Sequence, residues 1–599
     1  PGALRYGNYS LEEISAPKGY KVGEPLAFAI TEGNKDPLKP ITVVYEDDPV
    51  KGRILVQKLD AETGKGAGKD FVFSITVKSD IRDAAGVIRK GENSDGKTVE
   101  LTAGTIVDVI TTNDKSIATS KDLPLGDYTV SEVKAGDYYA LGTVTVGATL
   151  TADKPDVTVK VADYKTTFEL SKIDALDTLK VIPGIVFRVF SENDIDRTKV
   201  EAYQQGLAIK RGELLAAVND LINANTKALE DKKAAHAEAL ANCKEDEVES
   251  LKKSQAEELA ALEKEQEDAL YTLRAENQKK LDAYRSENGL ALDGIGIEVT
   301  TDDAGYVRMQ NLHHSTRYFV VESKTISGYN LEPDVYSFDV DENGLVNGER
   351  KHSMTISNTP NMLQITKTDA TGEKELPGAS LTLLTEGGVT IDSWISTDEP
   401  HVIKGLAAGS YRLEEIASPE GYCKAESITF ELTNTTEIQK VIMKDELTTT
   451  EIKKIDAKTK NPVVGAKLGL YNGDKLITEW ETNEKPFVIK GLAAGKYVVK
   501  ETSTPAGYAT AAPIEFMVTD KLELLELTME DTPIKVVVSK NSTELGEATE
   551  LPGATLQILD SNDKEIDKWV TTAQPHEIEY MAIGDYKLRE LVAPDGYSK

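Results

Sequence analysis

A short tyrosine-rich phrase that recurs six times constrains the fold of this chain more than any other feature. It reads GNYSLEEISAPKGY (7–20), GDYTVSEVKAGDYY (126–139), TRYFVVESKTISGY (316–329), GSYRLEEIASPEGY (409–422), GKYVVKETSTPAGY (495–508) and GDYKLRELVAPDGY (584–597). A phrase repeated in this way indicates a series of small units built alike, rather than one large core.

Two other phrases recur with it. The phrase that precedes it carries a lysine: ILVQKLD (54–60), FELSKID (168–174), LQITKTD (363–369), EIKKIDA (451–457) and VVVSKNS (536–542). The phrase that follows it carries Asp or Asn: TVVYEDDP (42–49), VKVADYK (159–165), MTISNTP (354–360), VIMKDEL (441–447) and LTMEDTP (527–533). We expect each of the three phrases to form a strand.

The phrases divide the chain into six repeats, numbered here from first to sixth: 1–49, 50–165, 166–360, 361–446, 447–533 and 534–599. Lys454 follows Lys367 by 87 residues (454 − 367), a length that suits one small sandwich. Alternating apolar residues bounded by Gly, Pro and Asp predict a mainly β protein of tandem Ig-like or prealbumin-like β-sandwiches. The first repeat lacks the lysine phrase and the last lacks the final phrase, so we expect a piece of a longer protein.

Alternate residues of a strand share a face, and this places polar side chains on faces that are otherwise apolar. Ile54, Val56 and Lys58 form one such row. The predicted inward polar residues are Lys58, Lys172, Lys367, Lys454 and Lys540, then Glu13, Glu132, Glu322, Glu415, Glu501 and Glu590, then Asp47, Asp163, Asn358, Asp445 and Asp531. Each complete repeat therefore points one Lys, one Glu and one Asp or Asn at its own core.

Two interpretations fit this pattern. One is a buried ion-pair cluster, or side chains at strand ends that extend to water. The other is chemical, because desolvation lowers the pKa of lysine and raises the pKa of a carboxyl group. A neutral amine then attacks the Asp or Asn side-chain carbonyl while the Glu relays the proton. Recurrence on three strands of at least four repeats favours the chemical interpretation.

The phrases resemble the Cna B-type, or SpaA-type, prealbumin-like domains of Gram-positive surface adhesins and pilins. The pattern Tyr-x-Leu-x-Glu-x-x-x-Pro-x-Gly-Tyr is similar to that family's E-box, most closely at 411–422, 497–508 and 586–597. The Pro is missing at 128–139 and 318–329. The resemblance covers nearly the whole chain outside the block 194–290.

The resemblance implies self-made isopeptide bonds with a glutamate as proton relay: Lys58–Asp163 with Glu132, Lys172–Asn358 with Glu322, Lys367–Asp445 with Glu415, and Lys454–Asp531 with Glu501. Glu13 with Asp47, and Lys540 with Glu590, would be incomplete sites in this segment. Such bonds form once, so the resemblance implies a structural protein rather than an enzyme, without cofactor or metal.

The resemblance also implies an extracellular function. We expect the rigid stalk of an adhesin on a bacterial cell wall, attached through a region outside this segment. A pilus subunit is the alternative, although the segment shows neither a pilin-type lysine motif nor a sorting signal. The expected partner is a protein or glycan on a host or neighbouring cell.

The block 194–290 has no Pro and is rich in Ala, Glu, Lys and Leu, which predicts long helix. It accounts for the excess length of the third repeat, in which Glu322 follows Lys172 by 150 residues (322 − 172), whereas the corresponding spacing in the compact repeats is 47 to 50. Both ends must rejoin one sandwich, so we expect an antiparallel helical hairpin that turns near Asn242–Glu245. Each arm would have about 43 residues and a length of roughly 65 Å.

Apolar residues in this block recur every 11 positions, which predicts nearly straight or slightly right-handed helices. The amides Gln255, Gln266, Asn277 and Asn288 follow the same period. They either fix the register of the helix pair or lie on a solvated flank. We expect an independent appendage whose apolar columns need no surface of the sandwich, and which serves as a binding arm or as a spacer.

Composition excludes several classes of function. With 101 acidic and 69 basic residues the net charge is −32, which argues against nucleic-acid and anionic-membrane partners. No apolar run is long enough to span a bilayer, and the two cysteines, Cys243 and Cys423, lie in different repeats. No nucleophile elbow, phosphate loop or metal-spaced cluster is present, and the acidic stretch Asp339–Asn343 lacks the full calcium-loop pattern.

Overall fold

The computed structural model describes residues 4–36, 38–244, 247–372, 374–544 and 549–599. The fold is mainly β, with tandem β-sandwiches and one long helical hairpin, as the sequence predicts. The chain divides into two compact units, one of residues 1–360 with 435–437, the other of residues 361–434 with 438–599.

The first unit begins with an antiparallel pair, β1 (Gly7–Leu11) and β2 (Leu26–Ile30). Residues 42–49, which the sequence predicts as a strand, form no regular strand, and this prediction is wrong. Pro49 makes an isolated bridge to Tyr20. In complete repeats the final strand pairs with the lysine strand, which this repeat lacks, so its backbone has no ladder to join.

The second repeat supplies eleven strands: β3 (Lys51–Gly52), β4 (Ile54–Asp60), β5 (Val72–Val77), β6 (Lys90–Glu92), β7 (Thr98–Glu100), β8 (Ile106–Thr111), β9 (Ile117–Thr119), β10 (Leu123–Pro124), β11 (Gly126–Lys134), β12 (Thr145–Leu150) and β13 (Val157–Asp163). The third supplies β14 (Thr167–Asp174), β15 (Val186–Ser191), β16 (Ile297–Thr300), β17 (Tyr306–Met309), β18 (Thr316–Lys324), β19 (Val335–Val340) and β20 (Lys351–Asn358).

The second unit holds the remaining repeats. The fourth contains β21 (Met362–Asp369), β22 (Ser380–Thr385), β23 (Thr390–Ile395), β24 (His401–Lys404), β25 (Gly409–Ala417), β26 (Ile428–Leu432) and β27 (Ile438–Asp445). The fifth contains β28 (Thr449–Asp456), β29 (Lys467–Asn472), β30 (Lys475–Glu481), β31 (Phe487–Lys490), β32 (Gly495–Ser503), β33 (Tyr508–Ala509), β34 (Ile514–Val518) and β35 (Leu524–Pro533). The sixth contains β36 (Lys535–Val538), β37 (Thr555–Asp560), β38 (Glu565–Val570), β39 (His576–Glu579) and β40 (Tyr586–Val592).

Each complete repeat is a sandwich of two sheets, and the fourth shows the arrangement. One sheet has the order β24–β21–β27, and in it the lysine strand β21 pairs in parallel with the final strand β27. The other sheet, β23–β22–β25–β26, is antiparallel and contains the tyrosine-rich strand β25. Apolar side chains such as Leu363, Leu381 and Leu413 fill the space between the sheets. The first and last strands of the repeat therefore lie side by side.

The block 194–290 forms two helices, α1 (Arg197–Ala241) and α2 (Val248–Asn288), which pack against each other. The turn lies between them as predicted, although Glu245 and residue 246 are outside the described residues. Three amides of α2 donate to backbone carbonyls of α1: Gln255 to His236 (3.0 Å), Gln266 to Asn225 (2.9 Å) and Asn277 to Leu214 (3.0 Å). The three donor residues are spaced by 11 positions, and so are the three residues whose carbonyls accept. These amides therefore lie at the interface between α1 and α2 and fit a single register of the two helices.

Asn288 differs from these amides, because it donates to Tyr284 of its own helix. The root of the hairpin also departs from the expected independent appendage. Val200 and Leu207 of α1 pack against Phe190 and Phe319, which project from the outer face of the sheet β16–β15–β18–β19. Val200 is fully buried and Phe319 is 1% exposed, so the sandwich does lend the hairpin an apolar surface.

Candidate functional site

The predicted lysine, glutamate and acceptor side chains meet in the core of the second repeat. Lys58 Nζ lies 2.6 Å from Glu132 Oε2 and 2.5 Å from Asp163 Oδ2, and the lysine is completely buried. The rings of Phe71 and Phe73 lie beside the ammonium group, with centroids 4.9 and 5.6 Å from Nζ. The amine and the acceptor carboxyl are therefore in contact in an apolar, water-excluded place.

The fourth and fifth repeats bring together the same three kinds of side chain. Lys367 Nζ contacts Asp445 Oδ1 directly and lies 3.3 Å from Glu415 Oε1. The equivalent residues of the fifth repeat are Lys454, in direct contact with Asp531 and 3.3 Å from Glu501. The side chains of these two acceptors and two glutamates are fully buried.

The third repeat has an amide as the acceptor. Lys172 Nζ lies 2.8 Å from Glu322 Oε2, and Asn358 Nδ2 donates to Glu322 Oε1 at 2.8 Å. Asn358 Nδ2 also lies 3.1 Å from Thr325 Oγ1, whereas its Oδ1 is buried and accepts no hydrogen bond from the described residues. The Glu322 carboxylate thus bridges the lysine and the amide, with one oxygen on each.

Strand register explains why the acceptors fall in the same place. In the parallel pair β28–β35, Lys454 is level with Met529, so Asp531 lies two residues further along the same face. The same offset holds for Lys58 with Asp163, Lys172 with Asn358 and Lys367 with Asp445. A shift of one residue would turn the acceptor to the opposite face.

Burial changes the ionisation of these groups. Desolvation, together with the Asp163 charge, raises the pKa of Glu132 to about 8 despite the neighbouring lysine. Desolvation likewise raises the pKa of Asp445 to about 7 and that of Asp531 to about 6. In the third repeat, burial lowers the pKa of Lys172 and raises that of Glu322. Each of these shifts favours the uncharged form of its group.

The incomplete sites are more open. Glu13 accepts a hydrogen bond from the Gly23 backbone at 2.9 Å, and burial, with the adjacent Glu13 carboxyl, raises the pKa of Asp47. Lys540 lies two residues beyond β36, with its Nζ 3.3 Å from Glu590 Oε2. The Lys540 side chain is 28% exposed, whereas the lysines of the complete repeats are almost wholly buried.

Sequence reasoning missed a second aspartate at each complete site. Asp60, Asp174, Asp369 and Asp456 lie directly opposite the four acceptors in the parallel ladders. In three repeats this aspartate accepts a hydrogen bond from the last tyrosine of the repeated phrase: Tyr139 to Asp60 (3.0 Å), Tyr329 to Asp174 (2.8 Å) and Tyr508 to Asp456 (2.8 Å). Its position two residues after the lysine, on the same face, was the available signal.

A backbone donor to the glutamate was also missed. Ala425 N–H donates to Glu415 at 2.6 Å, and Ala511 N–H donates to Glu501 at 2.7 Å. The donor follows its glutamate by ten residues in both repeats, as Gly23 follows Glu13. A main-chain group leaves little trace in the sequence beyond the small residue at that position.

The acidic stretch considered for calcium is engaged in other contacts. Asp339 forms a two-pronged ion pair with Arg317, with both distances 2.7 Å, and Asp341 accepts hydrogen bonds from the turn backbone. Across the described residues, no group of three or more His, Cys, Asp or Glu side chains is placed to hold a metal ion. In the same part of the chain, no helix has the length and apolar character needed to cross a membrane.

Comparison with known proteins places these sandwiches in a family. The sequence profile described as "SpaA: Prealbumin-like fold domain" matches residues 52–165, 263–352, 361–447, 448–533 and 535–599. No curated protein matches the chain.

Solved structures give further similarities. The chain is similar to the Bacillus anthracis TIE protein, with 18% identity, 81% of this chain and 74% of that chain covered, and a TM-score of 0.29. It is similar to a streptococcal ancillary pilin, with 12% identity, coverage of 42% and 86%, and a TM-score of 0.21. The shaft pilin SpaA from Lactobacillus rhamnosus GG shows 16% identity, coverage of 29% and 98%, and a TM-score of 0.16. Because the profile matches well over half of its residues, the chain belongs to the family of SpaA prealbumin-like fold domains.

Proposed function

We propose that the four complete repeats cross-link themselves through Lys58–Asp163, Lys172–Asn358, Lys367–Asp445 and Lys454–Asp531, and that the linked repeats form a structural stalk. The observation that carries the proposal is the direct contact between a buried lysine amine and an acceptor carboxyl, with a glutamate beside both. An unreacted buried charge cluster would be costly to keep, because three ionisable groups are removed from water together.

The chemistry balances without a cofactor. The neutral amine attacks Cγ of the acceptor, and the C–N bond forms as a C–O bond breaks at Asp or a C–N bond breaks at Asn. One proton of the neutral amine passes through the glutamate to the leaving OH group of a protonated Asp or the leaving NH2 group of Asn, and the glutamate returns to its original state. Water leaves from the three aspartates and ammonia leaves from Asn358. The sandwich supplies the proximity, which is worth about 7–11 kcal/mol of the barrier in well-oriented reactions.

The proposed setting is the surface of a Gram-positive bacterium, with the chain as part of an adhesin attached to the cell wall through a region outside this segment. Membership of the SpaA domain family and the absence of a nucleic-acid-type positive charge support this setting. A pilus subunit remains the alternative, and it differs in requiring covalent polymerisation between chains.

The hairpin is proposed to bind a protein or glycan on a host or neighbouring cell. The amide register supports a defined helix pair rather than a flexible tether, and long insertions on rigid scaffolds often carry function. A spacer role predicts that substitutions on its exposed surface leave attachment unchanged.

The proposal is tested by intact mass and peptide mapping of the purified chain. We expect a mass lower than the sequence mass by three waters and one ammonia, and four branched peptides that join the named residues. A measured mass equal to the sequence mass would reject self-cross-linking. The lysines and their partners would then form buried ion-pair clusters without a covalent bond.

A further inference from the structure

The root of the helical hairpin contacts the segment that leads from the tyrosine-rich phrase of the third repeat into β19. Arg211 of α1 forms a two-pronged ion pair with Asp334, with distances of 2.6 and 2.5 Å. Gln204, also on α1, donates to the Val335 carbonyl at 2.7 Å. Charge-assisted, bidentate pairs of this kind fix geometry as well as supplying energy.

The same segment reaches the reactive site. In the antiparallel pair β18–β19, Val335 lies opposite Val321, the neighbour of Glu322, and Glu322 contacts both Lys172 and Asn358. Glu332 follows Glu322 by ten residues (332 − 322), the spacing of the backbone donors Ala425 and Ala511 in the compact repeats. Through Gln204 and Val335, the hairpin therefore holds the strand that pairs beside Glu322.

The third repeat differs from the compact repeats in the charge of this segment. The position ten residues after its glutamate holds Glu332 instead of Ala, and the Asp334 backbone N–H donates to the Glu332 carboxyl at 3.1 Å. Desolvation and the Asp334 charge raise the pKa of Glu332, whereas Arg211 and Arg285 of the hairpin lower it. Glu332 also interacts electrostatically with Lys172. The hairpin thus supplies the positive charge that offsets an acidic pair close to the site.

Resting on the proposed self-cross-linking, we infer that the helical hairpin is a positioning element for the Lys172–Asn358 bond. Arg211 and Gln204 hold Asp334 and Val335, and the pairing of Val335 with Val321 keeps the adjacent Glu322 oriented between the amine and the amide. Arg211 is a positioning residue, since it touches neither reacting group. The insertion is accordingly part of the machinery of its own repeat.

The test follows bond formation in chains made by cell-free translation, quenched in denaturant at successive times and digested. Arg211→Met should slow the appearance of the Lys172–Asn358 peptide by about tenfold to a hundredfold, the scale expected when a reacting group is misplaced by about 1 Å. The other three cross-linked peptides should appear at wild-type rates. Arg274→Met, a change at an exposed position of α2, is the matched control and should leave all four rates unchanged.

Two further readouts separate positioning from a general structural effect. Arg211→Lys should restore part of the rate, because it keeps the charge and loses the fork. The pH profile of the Lys172–Asn358 rate should also shift in Arg211→Met, since Arg211 offsets the charge of Asp334 and Glu332. Arg211→Met could lower the helical circular dichroism signal by destabilising the hairpin. In that case the same rate measurement is made on Asp334→Asn, which removes the ion pair but keeps the shape of the side chain.

The outcomes distinguish the two proposals. If the wild-type chain never forms the Lys172–Asn358 peptide, self-cross-linking fails in this repeat and the positioning role fails with it. If the wild-type chain forms it and both Arg211→Met and Asp334→Asn form it at the wild-type rate, the positioning role alone is overturned.

Discussion

Asp456 and Asp531 face each other directly in the parallel pair β28–β35, yet their surroundings move their pKa values in opposite directions. Burial would raise the pKa of Asp456, but hydrogen bonds from the turn backbone and from the Tyr508 and Tyr580 hydroxyls lower it to about 2. Burial raises the pKa of Asp531 to about 6 even though Lys454 is in contact. When the surroundings of two carboxyl groups shift their pKa values apart, the two groups take different chemical roles.

The first prediction follows from this division of roles. Asp531→Asn should still cross-link to Lys454, with ammonia lost in place of water, as in the natural pair of Lys172 with Asn358. Asp456→Asn should still lose water, because Asp456 is not the electrophile. Peptide mass mapping of the two variants checks both statements, and ammonia loss from Asp456→Asn would show that the roles are assigned wrongly.

The second prediction concerns acid. A carboxyl group whose folded pKa is about 2, against about 3.9 when unfolded, contributes stability above pH 4 that is lost as the pH falls towards 2. Wild-type chain should therefore exceed Asp456→Asn in melting temperature at pH 5, and the difference should shrink between pH 4 and pH 2. A difference that stays constant over this range would contradict the assignment of Asp456 as the hydrogen-bonded anion.

The third prediction removes one proton relay. Glu415→Ala should leave the fourth repeat folded and without the Lys367–Asp445 bond. Closing a loop of 78 residues covalently is worth about 4–5 kcal/mol of unfolding free energy in the chain-entropy model, so this repeat should become markedly easier to melt and digest. Glu414→Ala, the outward neighbour, is the control and should keep the bond. A Lys367–Asp445 peptide from the Glu415 variant would remove Glu415 from the mechanism.

The fourth prediction corrects the expectation of an independent appendage. Deleting 194–290 should destabilise the third repeat, because it uncovers Phe190 and Phe319 on the outer face of the sheet. Exposing two large side chains costs about 3–6 kcal/mol by area. Adding Phe190→Thr and Phe319→Thr to the deletion should recover solubility and a cooperative melt. If the deletion variant is equally stable with and without the two Thr substitutions, the packing at the root of the hairpin contributes little to the stability of the third repeat.

The fifth prediction concerns the hairpin amides. Replacing Gln255, Gln266 and Asn277 with Leu should keep the helices but broaden their register, because apolar seams tolerate sliding that a buried amide opposes. Spin labels at Ala217 and Arg274, in a chain with Cys243 replaced by Ser, should give one narrow distance in the parent and a wider distribution in the triple variant. Asn219→Leu, at an exposed position, should leave the distribution narrow.

Much of the fold and of the site was open to prediction from the sequence because the pattern repeats. One inward lysine is ambiguous, but Lys58, Lys172, Lys367 and Lys454 at matched positions predict a common arrangement, and the structure places each beside its predicted glutamate. Whether these contacts become bonds stays a prediction. The hairpin was also predictable, because composition and an 11-residue period act over many turns.

The remaining features depend on groups that the sequence pattern describes poorly. The backbone N–H of Ala511 has no side-chain signature, and Asp456 looks like an ordinary turn residue at a strand end. The root packing did leave a signal that was overlooked. Phe319 and Val321 are apolar on the outward face of β18, where the fourth repeat has Arg412 and Glu414. Residues 42–49 show the opposite error, because their alternation predicts a strand that has no partner to pair with.

The parallel pairing of first and last strands also determines how far the chain can stretch. Tension that enters the fifth repeat at Thr449 would pass along β28 to Lys454, cross the proposed bond to Asp531 and leave at Pro533. The segment between the two linked residues, which are 77 positions apart in the sequence, would carry no load, and at about 3.4 Å per residue it represents some 260 Å of contour length that cannot extend. A pulled chain of linked repeats would therefore keep a nearly constant length, whereas a single Glu501→Ala change would turn its repeat into an extensible element.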